Sequence, residues 1–252
     1  MPAGTAHVSE VFVSFQGEGL HAGRRQLFVR FGGCPLRCRY CDTPASLVPT
    51  ATCRILGPDG ERQRPNPLGT AELEEVVGGL AALAPPLHAL AVTGGEPLVQ
   101  ADFLAAWLAA REATRPLPVL LETAGILPGR LRMLLPLVAI VSLDFKCPSN
   151  TGERARWDEH AACLAASVAA GRDVYVKMPV DETTRVEEVE EGARLIASID
   201  GGVPLFLTPL TEPAGARLTI APATLELLHA RASAHHADVR VLPQLHKLLG
   251  IL

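Results

Sequence analysis

The residues best placed to do chemistry are three cysteines within one short segment, Cys34, Cys38 and Cys41. They follow an apolar run with the spacing C-x3-C-x2-C. Thiolate is the usual protein ligand of iron–sulfur clusters, and three thiolates can hold three irons of a [4Fe–4S] cube while the fourth binds a small molecule. Structural zinc is the alternative, but zinc prefers four protein ligands, and no second cysteine or histidine pair lies nearby in the sequence. The pattern therefore favours a cluster with one open iron.

A second candidate segment, Thr93-Gly94-Gly95-Glu96-Pro97, follows the next apolar run after the cysteines. Glycine lets the backbone approach a ligand closely, and the Glu96 carboxylate can accept hydrogen bonds from an ammonium group. A glycine pair on its own is more often a plain turn. Its position at the end of the next predicted strand favours a place beside the cysteines.

The two segments together resemble the radical S-adenosylmethionine (radical SAM) superfamily, whose cysteine motif carries an aromatic residue, here Tyr40, before its last cysteine. The resemblance implies that the three cysteines bind a [4Fe–4S] cluster whose open iron chelates S-adenosylmethionine. In this superfamily the reduced cluster cleaves that cofactor, and a 5′-deoxyadenosyl radical abstracts hydrogen from the substrate. It further implies that Tyr40, Gly95 and Glu96 contact the cofactor.

Five more segments resemble one family of that superfamily, the 7-carboxy-7-deazaguanine synthases: Phe15–Gly19, Cys41–Thr43, Glu122–Gly125, Ser142–Lys146 and Gln244–Lys247. The resemblance runs from Phe12 to the C-terminus. It implies a lyase-type enzyme that converts 6-carboxy-5,6,7,8-tetrahydropterin to 7-carboxy-7-deazaguanine with loss of ammonia, in 7-deazaguanine (queuosine) biosynthesis. The implied cofactors are the [4Fe–4S] cluster, S-adenosylmethionine and Mg²⁺. A homodimer and an external electron donor of the flavodoxin or ferredoxin type are also expected.

The substrate contacts that the resemblance implies are Phe15, Gln16, Gly17, Glu18, Arg30, Thr93, His246 and Leu252. Their chemistry suits a pterin, because Gln16 offers a donor and an acceptor, Glu18 two acceptors and Arg30 a fork of donors. A plain turn for Gln16 and Glu18, and a solvated position for Arg30, are the alternatives. We expect His246 to donate a hydrogen bond to the substrate and Leu252 to contribute its terminal carboxylate.

The further cofactor contacts implied are Glu122, Ser142, Lys146, Thr208, Pro209 and Leu210. Glu122 could instead form a local salt bridge. Thr208 stands where the family commonly has glutamine, so a backbone contact would survive the change and a side-chain amide contact would not. The resemblance makes the Thr43 hydroxyl a Mg²⁺ ligand, which is plausible because Mg²⁺ takes most of its ligands from substrate and water. A turn cap is the alternative for Thr43.

Alternating strand-like and helix-like segments must position these residues. The predicted strands are Leu27–Phe31, Leu87–Thr93, Pro118–Glu122, Val138–Phe145, Val174–Met178 and Pro204–Leu207, and the predicted helices are Ala71–Ala84, Phe103–Arg115, His160–Ala170, Val186–Ile199 and Ala223–His235. This alternation is typical of an α/β fold whose parallel strands are buried on both faces. We expect a partial, open TIM-like barrel of about six parallel strands in a single domain, 1–252. The cysteine loop follows the first core strand.

Two further segments lie outside this alternation. His7–Phe15 is predicted to be an extra N-terminal strand, and Val48–Gly69 is interpreted as an irregular loop because of its prolines and glycines. Cys53, Cys147 and Cys163 are scattered and are interpreted as small buried hydrophobic residues.

Composition excludes several other classes of protein. The 252 residues are 48% hydrophobic, which is ample for a core, and the net charge of −4 is unfavourable for binding a phosphate backbone. The most apolar stretch, Leu80–Val92, is shorter than the roughly 20 residues that a membrane span needs. No secretory signal is visible at the N-terminus, so we expect a cytoplasmic protein. From its charge and hydropathy we expect it to bind neither nucleic acid nor membrane.

Two other functions deserve comparison. An enzyme that installs a glycyl radical on a partner protein would share the cysteine motif, but the Gln16–Glu18 turn and the Gln244–Lys247 segment would then lack a purpose. A non-catalytic cluster-binding protein would need no Gly94–Glu96 segment and no S-adenosylmethionine.

Overall fold

The computed structural model describes residues 4–83, 86–112, 117–212 and 217–251. Its strands are β1 Thr5–Ala6, β2 Val8–Phe15, β3 Arg25–Phe31, β4 Thr52–Gly57, β5 Gly60–Pro65, β6 Leu68–Gly69, β7 Leu90–Gly94, β8 Val119–Thr123, β9 Ile140–Asp144, β10 Asp173–Val180, β11 Leu205–Pro209 and β12 Val239–Val241. Its α-helices are α1 Thr70–Leu83, α2 Ala101–Glu112, α3 Pro128–Leu134, α4 Pro148–Thr151, α5 Trp157–Ala169, α6 Val186–Ile199, α7 Pro222–Ser233 and α8 Leu245–Leu249.

One ten-stranded sheet organises the fold, in the order β12-β11-β10-β9-β8-β7-β3-β2-β4-β5. The seven strands β3 and β7–β12 are parallel, β2 runs antiparallel to β3, and the sheet is open, ending at β5 and β12. The open α/β fold and the extra N-terminal strand are thus confirmed. The predicted strands correspond to β3 and β7–β11, and the short β12 adds a seventh.

The two faces of the parallel strands bury different sets of residues. Along β10, Val174, Val176 and Met178 pack into the main core, which also holds apolar residues of the helices. Tyr175 and Lys177 alternate with them and lie on the inner face of the sheet. Because every second residue of a strand faces the same way, one strand serves both the core and the site.

The helices follow the predicted pattern. Helix α6 has the predicted bounds, and its buried residues Val189, Ala193 and Ile196 recur at helical spacing. Glu187 and Glu188 lie in its first turn, where negative charge favours the helix dipole. The other predicted helices have counterparts whose ends differ by one to three residues, except where the predicted ends lie outside the described residues.

The irregular loop predicted for Val48–Gly69 is wrong. The segment contains a β-hairpin, β4–β5, which pairs with β2 and extends the sheet. Its prolines and glycines fall at the turn and at the strand ends, where they do not interrupt pairing. Strand β5 is charged and exposed because it is the edge of the sheet, so it lacks the apolar alternation that sequence reading relies on.

Candidate active site

A cavity of about 1130 Å³ lies where the parallel strands end at their carboxyl termini. This is the edge at which open α/β sheets bind ligands. Seventeen of the predicted site residues line it: Phe15, Gln16, Gly17, Glu18, Arg30, Cys34, Cys38, Tyr40, Cys41, Thr43, Thr93, Gly95, Glu122, Lys146, Thr208, Leu210 and His246. Leu252 lies outside the described residues, although its neighbour Ile251 lines the cavity.

The cysteine end of the cavity consists of the 34–41 loop with Gly95 and Lys146. The guanidinium of Arg37 donates to the carbonyl oxygens of Cys34 and Leu36, both at 2.7 Å. Leu36 is buried against Ala124 and Ile126, so the loop is anchored to the barrel. These contacts hold the three thiols, all partly exposed, around one side of the cavity.

The electrostatics of this loop suit a metal-bound state. Burial raises the pKa of the Cys34 thiol to about 11 and also raises the pKa of Cys38, so burial disfavours the thiolate form of these two residues. A bound metal supplies the positive charge that favours thiolates. Within residues 4–251 as described, no three or more His, Cys, Asp or Glu side chains are arranged to hold a single metal ion. Three thiols on an anchored loop fit a cluster that takes one thiolate at each of three irons.

Lys146 lies beside this loop, in contact with two cavity residues. Its ammonium is 2.7 Å from the Asp144 carboxylate and 3.3 Å from the Tyr40 hydroxyl. It also makes a cation–π contact with the Tyr40 ring, 5.3 Å from the ring centre. Burial alone would lower the pKa of Lys146, but Asp144 and the other nearby acidic groups raise it well above the usual range. The cysteine end therefore keeps a cation beside the thiols.

The structure places Glu96, which was predicted to contact the cofactor, away from the cavity lining. Its side chain is fully buried and does not line the cavity. The carboxylate accepts hydrogen bonds from the Leu98 and Ala124 backbone N–H groups and from the Thr123 hydroxyl, at 2.8–3.0 Å. Glu96 thus holds the ends of β7 and β8 together, while Gly95 lines the cavity.

Ser142 and Pro209 also lie off the cavity lining. Ser142 is in register with Tyr175, deeper in the barrel than Asp144, which lies two residues further along β9. Pro209 alternates with Thr208 and Leu210, which do line the cavity, so it faces the other way. The Thr208 hydroxyl is buried and has no hydrogen-bond partner among the described residues, so a cavity ligand could use it.

The polar end of the cavity consists of Gln16, Glu18, Arg30 and Glu122. The Gln16 amide donates to Glu122 at 2.8 Å, and the Thr93 hydroxyl donates to the other Glu122 oxygen at 2.9 Å. These bonds replace the local salt bridge considered for Glu122. Arg30 donates to Glu10 at 2.7 Å, so it is not simply a solvated strand residue.

Glu18 reveals a partner that sequence reasoning missed. The ammonium of Lys177 is 2.5 Å from one Glu18 oxygen, and the Gln244 amide donates to the other at 2.9 Å. Burial would raise the pKa of Glu18, but Lys177, His246 and these hydrogen bonds outweigh it and lower the pKa to about 2. One signal for Lys177 was present in the sequence, since it is the only charged residue in the apolar run Val174–Met178.

The C-terminal segment covers the polar end. His246 lies on the short helix α8 and lines the cavity, and burial lowers its pKa. Lys247 and His246 lie 3.8 and 4.0 Å from the Asp42 carboxylate. The segment thereby connects to the cysteine loop. The predictions for the scattered cysteines agree with the structure, since Cys53, Cys147 and Cys163 are all fully buried.

Comparison with known proteins defines first the class and then the family. The model of the radical SAM superfamily matches residues 28–196. The sequence is 38% identical over 251 residues to the 7-carboxy-7-deazaguanine synthase of Geobacter sulfurreducens, covering 98% of each chain. It is 35% identical over 253 residues to that of Methanopyrus kandleri, covering 100% of this chain and 96% of the relative. The chain belongs to the 7-carboxy-7-deazaguanine synthase family of the radical SAM superfamily.

A solved structure supports the fold. QueE from Escherichia coli matches with a TM-score of 0.59 and 19% identity, over 96% of this chain and 95% of that one. None of the helices described is long and apolar enough to cross a bilayer.

Proposed function

We propose that the chain converts 6-carboxy-5,6,7,8-tetrahydropterin to 7-carboxy-7-deazaguanine with loss of ammonia, in 7-deazaguanine (queuosine) biosynthesis. The observation that carries this proposal is one cavity with three thiols at one end and a hydrogen-bonded polar wall at the other. The two ends suit a cluster-bound cofactor and a heterocycle rich in donors and acceptors. Family membership supports the same reaction.

At the cysteine end, Cys34, Cys38 and Cys41 would hold the [4Fe–4S] cluster. When bound, the cluster supplies the electron that cleaves S-adenosylmethionine. The residues of the chain bind and orient the cofactor: Tyr40, Gly95, Glu122, Lys146, Thr208 and Leu210. The buried Thr208 hydroxyl offers a polar contact at the position where the family commonly has glutamine.

At the polar end, Phe15, Gln16, Gly17, Glu18, Arg30, Thr93 and His246 would bind the pterin. Glu18 and Glu122 offer carboxylate oxygens to ring and amino N–H groups, and the guanidinium of Arg30 suits a carboxylate. Glu122 is held in the wall of the polar end because it accepts hydrogen bonds from both Gln16 and Thr93. The polar end therefore orients the substrate beside the cofactor.

Thr43 is proposed as the Mg²⁺ ligand, since it lines the cavity and follows the last cysteine by two residues. Replacing Thr43 by valine removes the hydroxyl at similar size. We expect T43V to lose most of the Mg²⁺ stimulation of turnover at unchanged iron content. An equal Mg²⁺ response in variant and parent would exclude this role. The homodimer, the electron donor of the flavodoxin or ferredoxin type and the Leu252 contact remain predictions from the family resemblance, and the cytoplasmic location remains a prediction from the sequence.

An anaerobic assay of the reconstituted protein tests the proposal directly. Candidate pterins, S-adenosylmethionine and a chemical reductant are supplied, and 5′-deoxyadenosine, ammonia and the deazapurine product are quantified. Loss of ammonia from the tetrahydropterin is redox-neutral, so the hydrogen abstracted from the substrate must be returned and the cofactor regenerated. We therefore expect ammonia and the deazapurine in equal amounts, and 5′-deoxyadenosine in a smaller amount. Cofactor cleavage with no conversion of any pterin to ammonia and the deazapurine would reject the pterin reaction and favour a glycyl-radical activating enzyme. A lack of cofactor binding would favour a non-catalytic cluster-binding protein.

A further inference from the structure

Lys177 is a buried cation on the inner face of the barrel for which the family resemblance provides no role. It lies in the middle of β10, and its side chain is 6% exposed. A buried charge is expensive unless another charge and hydrogen bonds compensate it. The groups that face it are therefore informative. They are Glu18 in direct contact, and Glu122, Asp144 and Tyr175 at longer range.

Close packing around Gly17 and Gly19 places Glu18 beside Lys177. A Cβ atom on Gly17 would lie 2.0 Å from the His246 ring, and one on Gly19 would lie 2.2 Å from the Tyr175 ring. Only glycine fits at either place. The Gly17–Gly19 turn is thus wedged between helix α8 and strand β10, and the Leu245 N–H donates to the Gly17 carbonyl at 2.9 Å.

Glu18 keeps capacity for a ligand after these contacts. Lys177 occupies one carboxylate oxygen at 2.5 Å and Gln244 the other at 2.9 Å. A carboxylate has about four acceptor positions, so roughly two remain. Glu18 also lines the cavity, so the remaining positions can face a bound molecule.

We infer that Lys177 is a positioning residue, whose ammonium holds the Glu18 carboxylate ionised and aimed at the N–H groups of the bound heterocycle. This inference rests on the proposed function. The pKa of Glu18, about 2, agrees with it. Without Lys177, the burial that raises this pKa loses its main opposition, so Glu18 takes up a proton within the working pH range.

Binding of the pterin to reconstituted protein, measured by anaerobic calorimetry between pH 5.5 and 8.5, tests this role. The proteins compared are the parent, K177M, K177Q, K177R, the double variant E18Q/K177M, and R194M, which removes an exposed ion pair on helix α6. At each pH the Kd of a variant is divided by that of the parent, which cancels the titration of the pterin.

For K177M and K177Q we expect a Kd ratio of roughly 10 at pH 8.5 that grows as the pH falls, approaching tenfold per pH unit below the new pKa of Glu18. K177R restores the charge and should stay within about threefold of the parent, with no trend. E18Q/K177M binds weakly at every pH without a trend, because the titrating carboxyl is gone. R194M should match the parent.

A ratio for K177M and K177Q that does not change with pH would overturn the inference, since lost packing alone has no pH dependence. If neither variant folds, the infrared difference spectrum between parent and E18Q tests the protonation state of Glu18 instead. A Glu18 carboxylate band that persists below pH 4 supports the role of Lys177. A protonated Glu18 carboxyl at pH 5.5 overturns it. If the parent binds no pterin at any pH, the proposed function fails, and the infrared comparison still tests the ion pair.

Discussion

The two ends of the cavity are held by different kinds of contact. At the cysteine end the supporting bonds run mainly from side chains to backbone, as for Arg37 on the loop carbonyls and Glu96 on the Leu98 N–H group. At the polar end they join side chains far apart in sequence, such as Gln16 with Glu122 and Glu18 with Lys177. Backbone contacts depend little on the identity of the neighbouring residue, whereas side-chain pairs fail when either partner changes. We therefore expect the polar end to be the more sensitive to single substitutions outside the cysteines.

The largest effect is expected for the thiols themselves. Replacing Cys34, Cys38 or Cys41 by alanine removes one of three cluster ligands, which no neighbouring group can replace. Each variant should lose nearly all bound iron and at least about 1000-fold of S-adenosylmethionine cleavage. Iron content and 5′-deoxyadenosine are measured after reconstitution.

The matched control is Cys163→Ala, in which a fully buried thiol outside the cavity is removed. It should retain the parent's iron content. Four irons bound by the triple alanine variant of the loop would show that the cluster lies elsewhere.

The next effect compares two glutamates that lie near each other, Glu96 and Glu122. Glu96→Gln places an amide nitrogen against backbone donors, so it should lower the free energy of unfolding by about 2–3 kcal/mol and change the KM for the cofactor less than threefold. Glu122→Gln alters a cavity wall, so it should lower kcat/KM roughly 10- to 100-fold at a smaller cost in stability.

Denaturant unfolding and steady-state kinetics on both variants measure the two quantities. A large loss of cofactor affinity in E96Q at parental stability would restore Glu96 as a direct contact. The two ends of the cavity would then no longer differ in the kind of contact that supports them.

The cysteine loop could be predicted from the sequence, whereas the side-chain pairs of the polar end could not. The cysteine loop was found from local spacing, because C-x3-C-x2-C lies within eight residues. Glu18 and Lys177 are 159 residues apart, and Glu18 and Gln244 are 226 apart, so only the fold brings them together. The role of Glu96 could not be read either, because a carboxylate that binds an ammonium and one that binds backbone N–H groups look the same in a motif.

One side chain that contacts the backbone at the cysteine end makes the stability of the protein depend on pH. His160 is fully buried; its Nε2 accepts from the Lys146 N–H at 3.1 Å, and its Nδ1 contacts the Gly125 carbonyl at 3.2 Å. Accepting at Nε2 requires a neutral ring, and burial lowers the pKa of His160 from 6.5 to about 3. The unfolded chain binds this proton first, so stability falls as the pH drops below 6.5.

His160 should contribute about 2 kcal/mol to the loss between pH 6.5 and 5. This contribution is absent in His160→Gln, whose amide can donate and accept at the same places. Denaturant unfolding of both proteins at the two pH values measures the difference. If parent and variant lost the same free energy over this range, the histidine would be carrying its proton in the folded state.

The smallest effect concerns a row of charges that runs across strands β3, β2 and β4. Glu10 is in register with Arg30 on one side and with Arg54 on the other, and its carboxylate contacts them at 2.7 and 3.4 Å. Arg54 is 46% exposed and Glu10 only 13%, so the outer pair is the weaker.

Glu10→Gln should raise the KM for the pterin about fivefold by loosening Arg30, and Arg54→Met about twofold. Because Arg54 reaches Arg30 only through Glu10, the double variant should match Glu10→Gln alone. Multiplying effects would instead give Arg54 its own contact with the ligand, and the polar end would extend onto the hairpin.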